Sequence, residues 1–141
     1  MRKLITLLLT AGALAVPAAT AAPTHGKPSG PKPCHGKARV MVVLKGTLPD
    51  DPVAGDTSFQ LTALHANRWG RGYKQATQPL TVNVDANTRY VKDDQPASLE
   101  ALALNDQVVV RAKVSGCELR DVTDPALLPA LTAKMVVDQT P

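Results

Sequence analysis

Hydrophobic and polar residues alternate along several short stretches of this chain, most clearly between residues 80 and 114. Apolar residues alternate with polar ones from Leu80 to Asp85, and the alternation returns from Val108 to Val114. A period of two turns one row of side chains towards a core and the other towards water. Both stretches are therefore predicted to be half-buried β-strands.

The segment between these two strands carries turn and helix signals. Asp85–Thr88 has the composition of a turn, and Tyr90 and Val91 resume an extended run that continues the strand after a bend. Ser98 is a good helix N-cap, and the residues after it place leucines at helical spacing. Asn105 can adopt the left-handed conformation that ends a helix. One short helix is predicted here.

Three further strands are predicted from the same alternation. They are Arg39–Lys45, Thr57–Leu64 and Thr132–Asp138, the last with Ala133, Met135 and Val137 facing inward. The connections His65–Pro79 and Gly116–Leu131 are long and read as loops. Five short strands with one helix between the third and fourth favour a mainly all-β fold, a small five-stranded antiparallel barrel, since closure hides strand edges.

The N-terminus has the pattern of an export signal. Arg2 and Lys3 precede the apolar stretch Leu4–Val16, which is too short to span a bilayer of about 30 Å. Small residues follow, so 1–21 is predicted to be a signal peptide cleaved after Ala21 or Ala22. The mature protein would be secreted, periplasmic or cell-wall-associated, with no stable membrane span.

Two segments would remain after cleavage. Residues 22–37 are rich in Pro, Gly and Lys and read as a linker, and residues 38–141 form the barrel domain. The net charge of +4 falls to about +2 once the signal peptide is gone, which does not indicate a nucleic-acid partner. Export favours a disulfide between Cys34 and Cys117; the alternative is two free thiols, one beside His35.

From Ala38 to Asp138 the chain resembles the OB-like barrel domains of unknown function found in exported bacterial proteins. The resemblance rests on a Val-rich opening strand that ends in Gly46, the Phe59 strand, the Val82–Thr88 segment, and the run Leu99–Val108. In that run Asn105 stands where the family usually has Gly. The resemblance implies an OB-like strand order and supplies no catalytic residue.

One loop concentrates the scarce aromatic residues with positive charge. It contains the only Trp, one of two Tyr and three cations: Arg68, Trp69, Arg71, Tyr73 and Lys74. Aromatic faces stack on bases or sugar rings, and neighbouring cations hold phosphates or acidic sugars. The competing interpretation is a plain connection whose aromatics lie back on the barrel and whose charges are solvated.

Other chemistry-bearing residues are sparse. His25 could hold Cu(II) or Ni(II) only after cleavage at Ala22, and His65 has no partner at ligand spacing. The pairs Asp50-Asp51 and Asp93-Asp94 read as solvated turns, because adjacent residues of an extended chain point opposite ways. No catalytic signature is present, and neither a cofactor nor a metal is predicted.

These observations favour an exported, non-enzymatic β-barrel binding module with an anionic or sugar-containing ligand. The alternative is a structural or protein-interaction domain of the cell envelope without a small ligand, for which Leu127, Leu128 and Leu131 would form an apolar patch. In either case the expected partner is an envelope component or another protein rather than nucleic acid. An enzyme is not expected, since convergent titratable groups are missing from the pattern.

Overall fold

The computed structural model describes residues 38–120 and 122–141, so the predicted signal peptide, the linker and Cys34 lie outside the described residues. Within them the chain forms seven strands, two one-turn α-helices and two 3-10 helices. In chain order these are β1 (Arg39–Thr47), β2 (Ser58–Ala66), α1 (Arg71–Gln75), β3 (Leu80–Asn83), β4 (Arg89–Lys92), β5 (Gln95–Ala97), a 3-10 helix (Leu99–Ala101), β6 (Gln107–Ser115), α2 (Gly116–Arg120), a 3-10 helix (Pro125–Leu127) and β7 (Leu131–Asp138).

Five of the strands close into a barrel, which confirms the predicted fold class. β1 pairs antiparallel with β2 and β6, β2 with β3, and β6 with β7. The barrel closes where β3 pairs with β7, and this seam is parallel. The resulting order, β3-β2-β1-β6-β7, is OB-like, and β4 and β5 extend the sheet beyond β7.

The core lies inside this barrel and is built from the inward rows of the alternating stretches. The inward rows expected from alternation in β2 and β6 are buried, whereas those of β1 and β3 are buried only in part, since Val40, Leu80 and Val84 are half-buried. Their most enclosed side chains are Val42, Leu44, Leu61, Val82, Val108 and Val110. Alternation is a local property of a strand, so these rows could be assigned without knowing their partners.

The inward row predicted for β7 is wrong in its second half. Ala133 faces inward as expected, but Val136 is fully buried whereas Met135 and Val137 are only partly buried. The pairing of β7 with β6 shifts there, because Ala112 lies opposite Ala133 while Arg111 lies opposite Met135. This β-bulge inserts one extra residue and reverses the alternation beyond it.

Gly46 lies at a second register shift, between β1 and β2. A Cβ atom at this position would stand 2.1 Å from the backbone oxygen of Thr62. Only glycine permits the two strands to approach this closely. Leu64 is the extra residue of β2 at this shift; it faces outward, as the alternation of β2 requires, and is 45% exposed.

The connection between the third and fourth barrel strands contains more structure than predicted. β4 follows β3 along the same edge of β7 and is also parallel to it, and β5 folds back on β4 as a short hairpin. The predicted helix exists as a single 3-10 turn, Leu99–Ala101, that buries Leu99. Asn105 has φ 68°, the left-handed conformation expected of it.

The two long connections each carry a helix that the sequence pattern did not indicate. α1 occupies part of the predicted loop 65–79, and α2 begins the predicted loop 116–131. Each has only five residues, too few for a recognisable apolar period. Among the described residues, none of the helices has the length and hydrophobicity that crossing a bilayer requires.

Candidate functional site

The segment of residues 67–79, here called the α1 loop, is fastened to β1 at its start by Asn67. The Asn67 side-chain amide donates to the Met41 oxygen (2.8 Å), and its Oδ1 accepts from the Val43 nitrogen (3.2 Å). Its backbone nitrogen donates to the Val43 oxygen (3.0 Å). Asn67 thus takes the place of a strand residue beside β1, where the regular pairing with β2 has ended.

Gln78 and Tyr73 fasten the rest of the α1 loop. Gln78 Oε1 accepts from the Ala63 nitrogen of β2 (2.9 Å), and Gln78 Nε2 donates to the Tyr73 oxygen (3.0 Å). The Tyr73 hydroxyl donates to the Pro129 oxygen (2.8 Å), which joins the two long connections at this end of the barrel. These bonds tie the α1 loop to β2 and to the second long connection.

Tyr73 lies within the core, although its residue type suggested a ligand-stacking role. The residue is 4% exposed, so its ring offers no face to solvent. Burial, with a smaller contribution from Glu118, raises the pKa of Tyr73 to about 12. Its role in the α1 loop is to anchor it.

The remaining candidate residues of the loop are accessible. Arg68, Arg71 and Lys74 are exposed, and none of them forms an ion pair with a residue that the structure describes. The Arg68 guanidinium lies 4.4 Å from the centroid of the Trp69 ring, a cation–π contact. Trp69 is half-buried and packs against the core, which leaves part of the ring at the surface.

Next to the loop lies an apolar cleft of about 150 Å³, lined by Tyr73, Leu80, Leu128, Leu131 and the prolines 125 and 129.

The three leucines that were predicted to form an apolar patch differ in their exposure. Leu131 is 2% exposed and belongs to the core, Leu128 packs partly against the core, and Leu127 alone protrudes, 72% exposed. The three leucines do not form one exposed surface, because β7 begins at Leu131 and turns it inward.

A charged cluster that the sequence did not reveal lies at the opposite end of the barrel. Lys92 Nζ is 2.9 Å from Asp106 Oδ2 and 2.8 Å from Asp138 Oδ2, and it donates to the Ala101 oxygen (3.0 Å). The side chain of Asp138 is 2% exposed, and its Oδ2 makes an ionic contact without hydrogen-bond geometry. The cluster joins β4, the segment before β6, and the end of β7.

Ionisation in this cluster is set by the ion pairs. The two carboxylates, Asp138 first, raise the pKa of Lys92. Burial pushes the pKa of Asp138 upward, but Lys92 and the contacts with Thr140 together outweigh it and lower that pKa. The single lysine compensates one of the two negative charges, and the cluster has the character of a structural clamp.

The other acidic pairs occupy turns. Asp93 and Asp94 both have positive φ in the tight turn between β4 and β5. Asp51 accepts a hydrogen bond from the Leu104 nitrogen, so it ties the connection after β1 to the one before β6. Neither pair converges with other titratable side chains.

Metal and thiol chemistry receives no further support from the described part of the chain. No group of three or more His, Cys, Asp or Glu residues there could hold a metal ion, and His65 is an exposed residue on β2. Cys117 lies in α2 and is not a free thiol. The disulfide with Cys34, and any role of His25 or His35, concerns residues outside the described ranges and stays a prediction.

Comparisons with protein-family models, with curated proteins and with solved structures find no match. The fold is therefore established from the strand pairing alone, and the resemblance to exported bacterial domains stays a prediction.

Proposed function

We propose that this protein is an exported, non-enzymatic β-barrel module that binds an anionic ligand through the α1 loop. Arg68, Arg71 and Lys74 supply the positive charge, and the exposed part of Trp69 supplies an aromatic surface. The supporting observation is that these three cations have no acidic partner among the described residues, although the loop that carries them is fixed at both ends.

Fixing the loop in advance favours binding. A flexible loop loses conformational freedom when it closes on a ligand, and that loss weakens the complex. Here Asn67, Tyr73 and Gln78 restrict the loop already in the free protein. Guanidinium groups in such a setting can form paired hydrogen bonds to phosphate or carboxylate oxygens.

Trp69 provides a direct test, because it is the only Trp in the chain. Anionic ligands, including acidic glycans and phosphate polymers, should change its fluorescence, and Arg71→Gln with Lys74→Gln should weaken that response. Arg120→Gln, which removes an exposed cation from α2, is the matched control. A spectrum that no anion changes would instead favour a structural or protein-interaction domain, for which the exposed Leu127 is the supporting feature.

A further inference from the structure

We infer that the ligand is a linear polymer whose phosphodiester groups are separated by short uncharged carbon units, and that it lies along a cationic band. The band consists of the α1 loop together with the outer face of β1, β6, β7 and β4. This inference rests on the proposed function and extends it from a local anion site to a track for a chain.

Besides Lys134, which is paired with Asp85, the outer face of these four strands carries five cations. By the alternation of each strand, they project away from the core that their neighbours fill, and four of them are exposed while Lys45 is half-buried. They are Arg39, Lys45, Arg89, Arg111 and Lys113. None of the five forms an ion pair with a described residue.

Carboxylates are absent from the outward positions of these four strands. Acidic groups lie at the margins of this outer face. Glu118 lines a cleft shared with Arg39 and Lys113, and Asp85 is paired with Lys134 at 3.0 Å. Residues 38–141 contain 11 Lys and Arg against 12 Asp and Glu. The positive face is thus produced by segregation of charge, not by an overall excess.

The strand register shows how the cations are spaced. Across the sheet, Arg111 of β6 lies opposite Met135 of β7, which in turn lies opposite Arg89 of β4. Strands are about 4.8 Å apart, so the two arginines are separated by about 10 Å with an apolar side chain between them. Lys113 lies two residues from Arg111 on the same strand, about 7 Å away.

This face is continuous with the α1 loop. Asn67 bonds to Met41 and Val43, which belong to the outward row of β1. Those two residues pair with Lys113 and Arg111. Arg68 follows Asn67 directly and therefore lies near the first part of β1, which has no pairing with β2. The band extends from there over β1, β6 and β7 to Arg89.

The alternation of cations and apolar side chains selects the ligand. Met135 between Arg111 and Arg89, and Val109 beside Lys45, leave room for carbon units between anionic groups. Arginine forks match phosphate oxygens and outnumber lysines on the band. A polymer with charge at every atom or two along its backbone would place anions over the apolar positions, where nothing neutralises them.

The test uses the full mature chain and poly(glycerol phosphate), compared as a dimer and as a chain of about 16 units, by calorimetry and Trp69 fluorescence. The face variant is Arg111→Gln with Lys113→Gln, and the loop variant is Arg71→Gln with Lys74→Gln. The control is Arg120→Gln with Lys134→Gln, since Lys134 is already paired with Asp85. Thermal unfolding verifies that each variant is folded.

We expect the long chain to bind more tightly than the dimer. The face variant should weaken only the long chain, about tenfold or more at low salt, with a salt dependence about two units shallower. The loop variant should weaken both lengths, and the control should weaken neither.

Two results would overturn the inference and leave the proposed function standing, and a third would overturn the proposed function itself. If the face variant bound the long chain as tightly as the unmodified protein does, the band would not be part of the binding site. If the loop variant still weakened binding of both lengths, the α1 loop site would remain supported. Equally tight binding of inorganic polyphosphate or of polyglutamate would exclude spaced phosphodiesters as the preferred ligand. Absence of binding of poly(glycerol phosphate) of either length, of polyphosphate and of polyglutamate to the unmodified protein would overturn the proposed function itself.

Discussion

Tyr73 shows how the role of a residue depends on which way its side chain points. Its place among Arg68, Trp69 and Lys74 suggested ligand stacking, yet its ring lies in the core and its hydroxyl reaches Pro129. A tyrosine ring can stack on a ligand, and it can equally be buried in a core that offers one hydrogen-bond partner for its hydroxyl. Composition cannot distinguish these two uses.

We expect Tyr73→Phe to lower the free energy of unfolding by about 1 kcal/mol at neutral pH, because the Pro129 oxygen loses its donor. The folded-state pKa of Tyr73 is raised to about 12 from 10.0. The stability that this shift provides is fully present below pH 10 and is lost as the pH rises towards 12. Urea unfolding at pH 7 to 12 should show a shallower alkaline loss in the variant.

The same variant separates anchoring from binding. Anion affinity at neutral pH should fall only slightly, because the buried ring does not reach the ligand and Asn67 and Gln78 still hold the loop. If Tyr73→Phe abolished anion binding while leaving stability at every pH as in the unmodified protein, Tyr73 would have to be returned to the binding surface.

At the scale of elements, the Lys92 cluster holds together parts of the chain that the barrel strands alone do not join. It connects the short β4 to the end of β7 and to the segment before β6. Asp138 is the last residue of the apolar strand β7, and its side chain is almost completely buried. Removal of the lysine would therefore leave a buried carboxylate without its counter-charge.

We expect Lys92→Met to lower the free energy of unfolding by about 3 kcal/mol at pH 7. In the unmodified protein the pKa of Asp138 is lowered, so its stabilising effect is present above its ordinary value and is lost as the pH falls through the lowered value. Without Lys92, only the contacts with Thr140 would oppose the effect of burial, so the pKa of Asp138 should rise above its value in the unmodified protein. Denaturant unfolding from pH 7 to 4 should then show the deficit of the variant shrinking.

Lys134→Met is the matched comparison. Lys134 pairs with the exposed Asp85, and both remain accessible to water. Its loss should change stability much less. Equal losses in the two variants would contradict the role assigned to the buried carboxylate.

At the scale of the whole molecule, the strands of the barrel are paired over very different lengths. β1 and β6 share nine register pairs, whereas the closing seam between β3 and β7 has two. The β4–β5 hairpin adds a short edge whose last strand contains Pro96. Local openings follow such differences in the number of protected backbone groups.

We therefore expect hydrogen exchange to be slowest in β1 and β6. Amides of Val82 and Asn83 at the seam, and those of β5, should exchange earlier because few neighbouring pairs must open with them. Native-state exchange followed by NMR or mass spectrometry gives this order directly. Protection of the seam equal to that of β1 and β6 would indicate that the barrel opens only as one unit.

The net charge of the chain does not show how the charged side chains are distributed over its surface. The five Lys and Arg residues of positions 1–37 account for the entire positive excess of the chain. The remainder is nearly neutral, yet the register brings Arg89, Arg111 and Lys113 onto one face. A charge total therefore carries little information about where an anion would bind.

The α1 loop is predictable from the sequence only in part. The cations Arg68, Arg71 and Lys74 are recognisable in the sequence as a charged run. Their exposure can be predicted because it does not depend on contacts with distant segments of the chain. Asn67 and Gln78, which fix the loop, resemble ordinary turn residues in the sequence. Their function depends on backbone groups of β1 and β2 that are distant along the chain.

The sequence by itself determined the five barrel strands, most of the inward rows of β1, β2, β3 and β6, and the left-handed Asn105, because each follows from the properties of neighbouring residues. Only the tertiary structure decided the bulge that turns Val136 inward, the parallel seam and the Lys92 cluster. Each of these arises from the register between segments far apart in the chain, and a shift of one residue in that register exchanges the inner and outer faces of a strand.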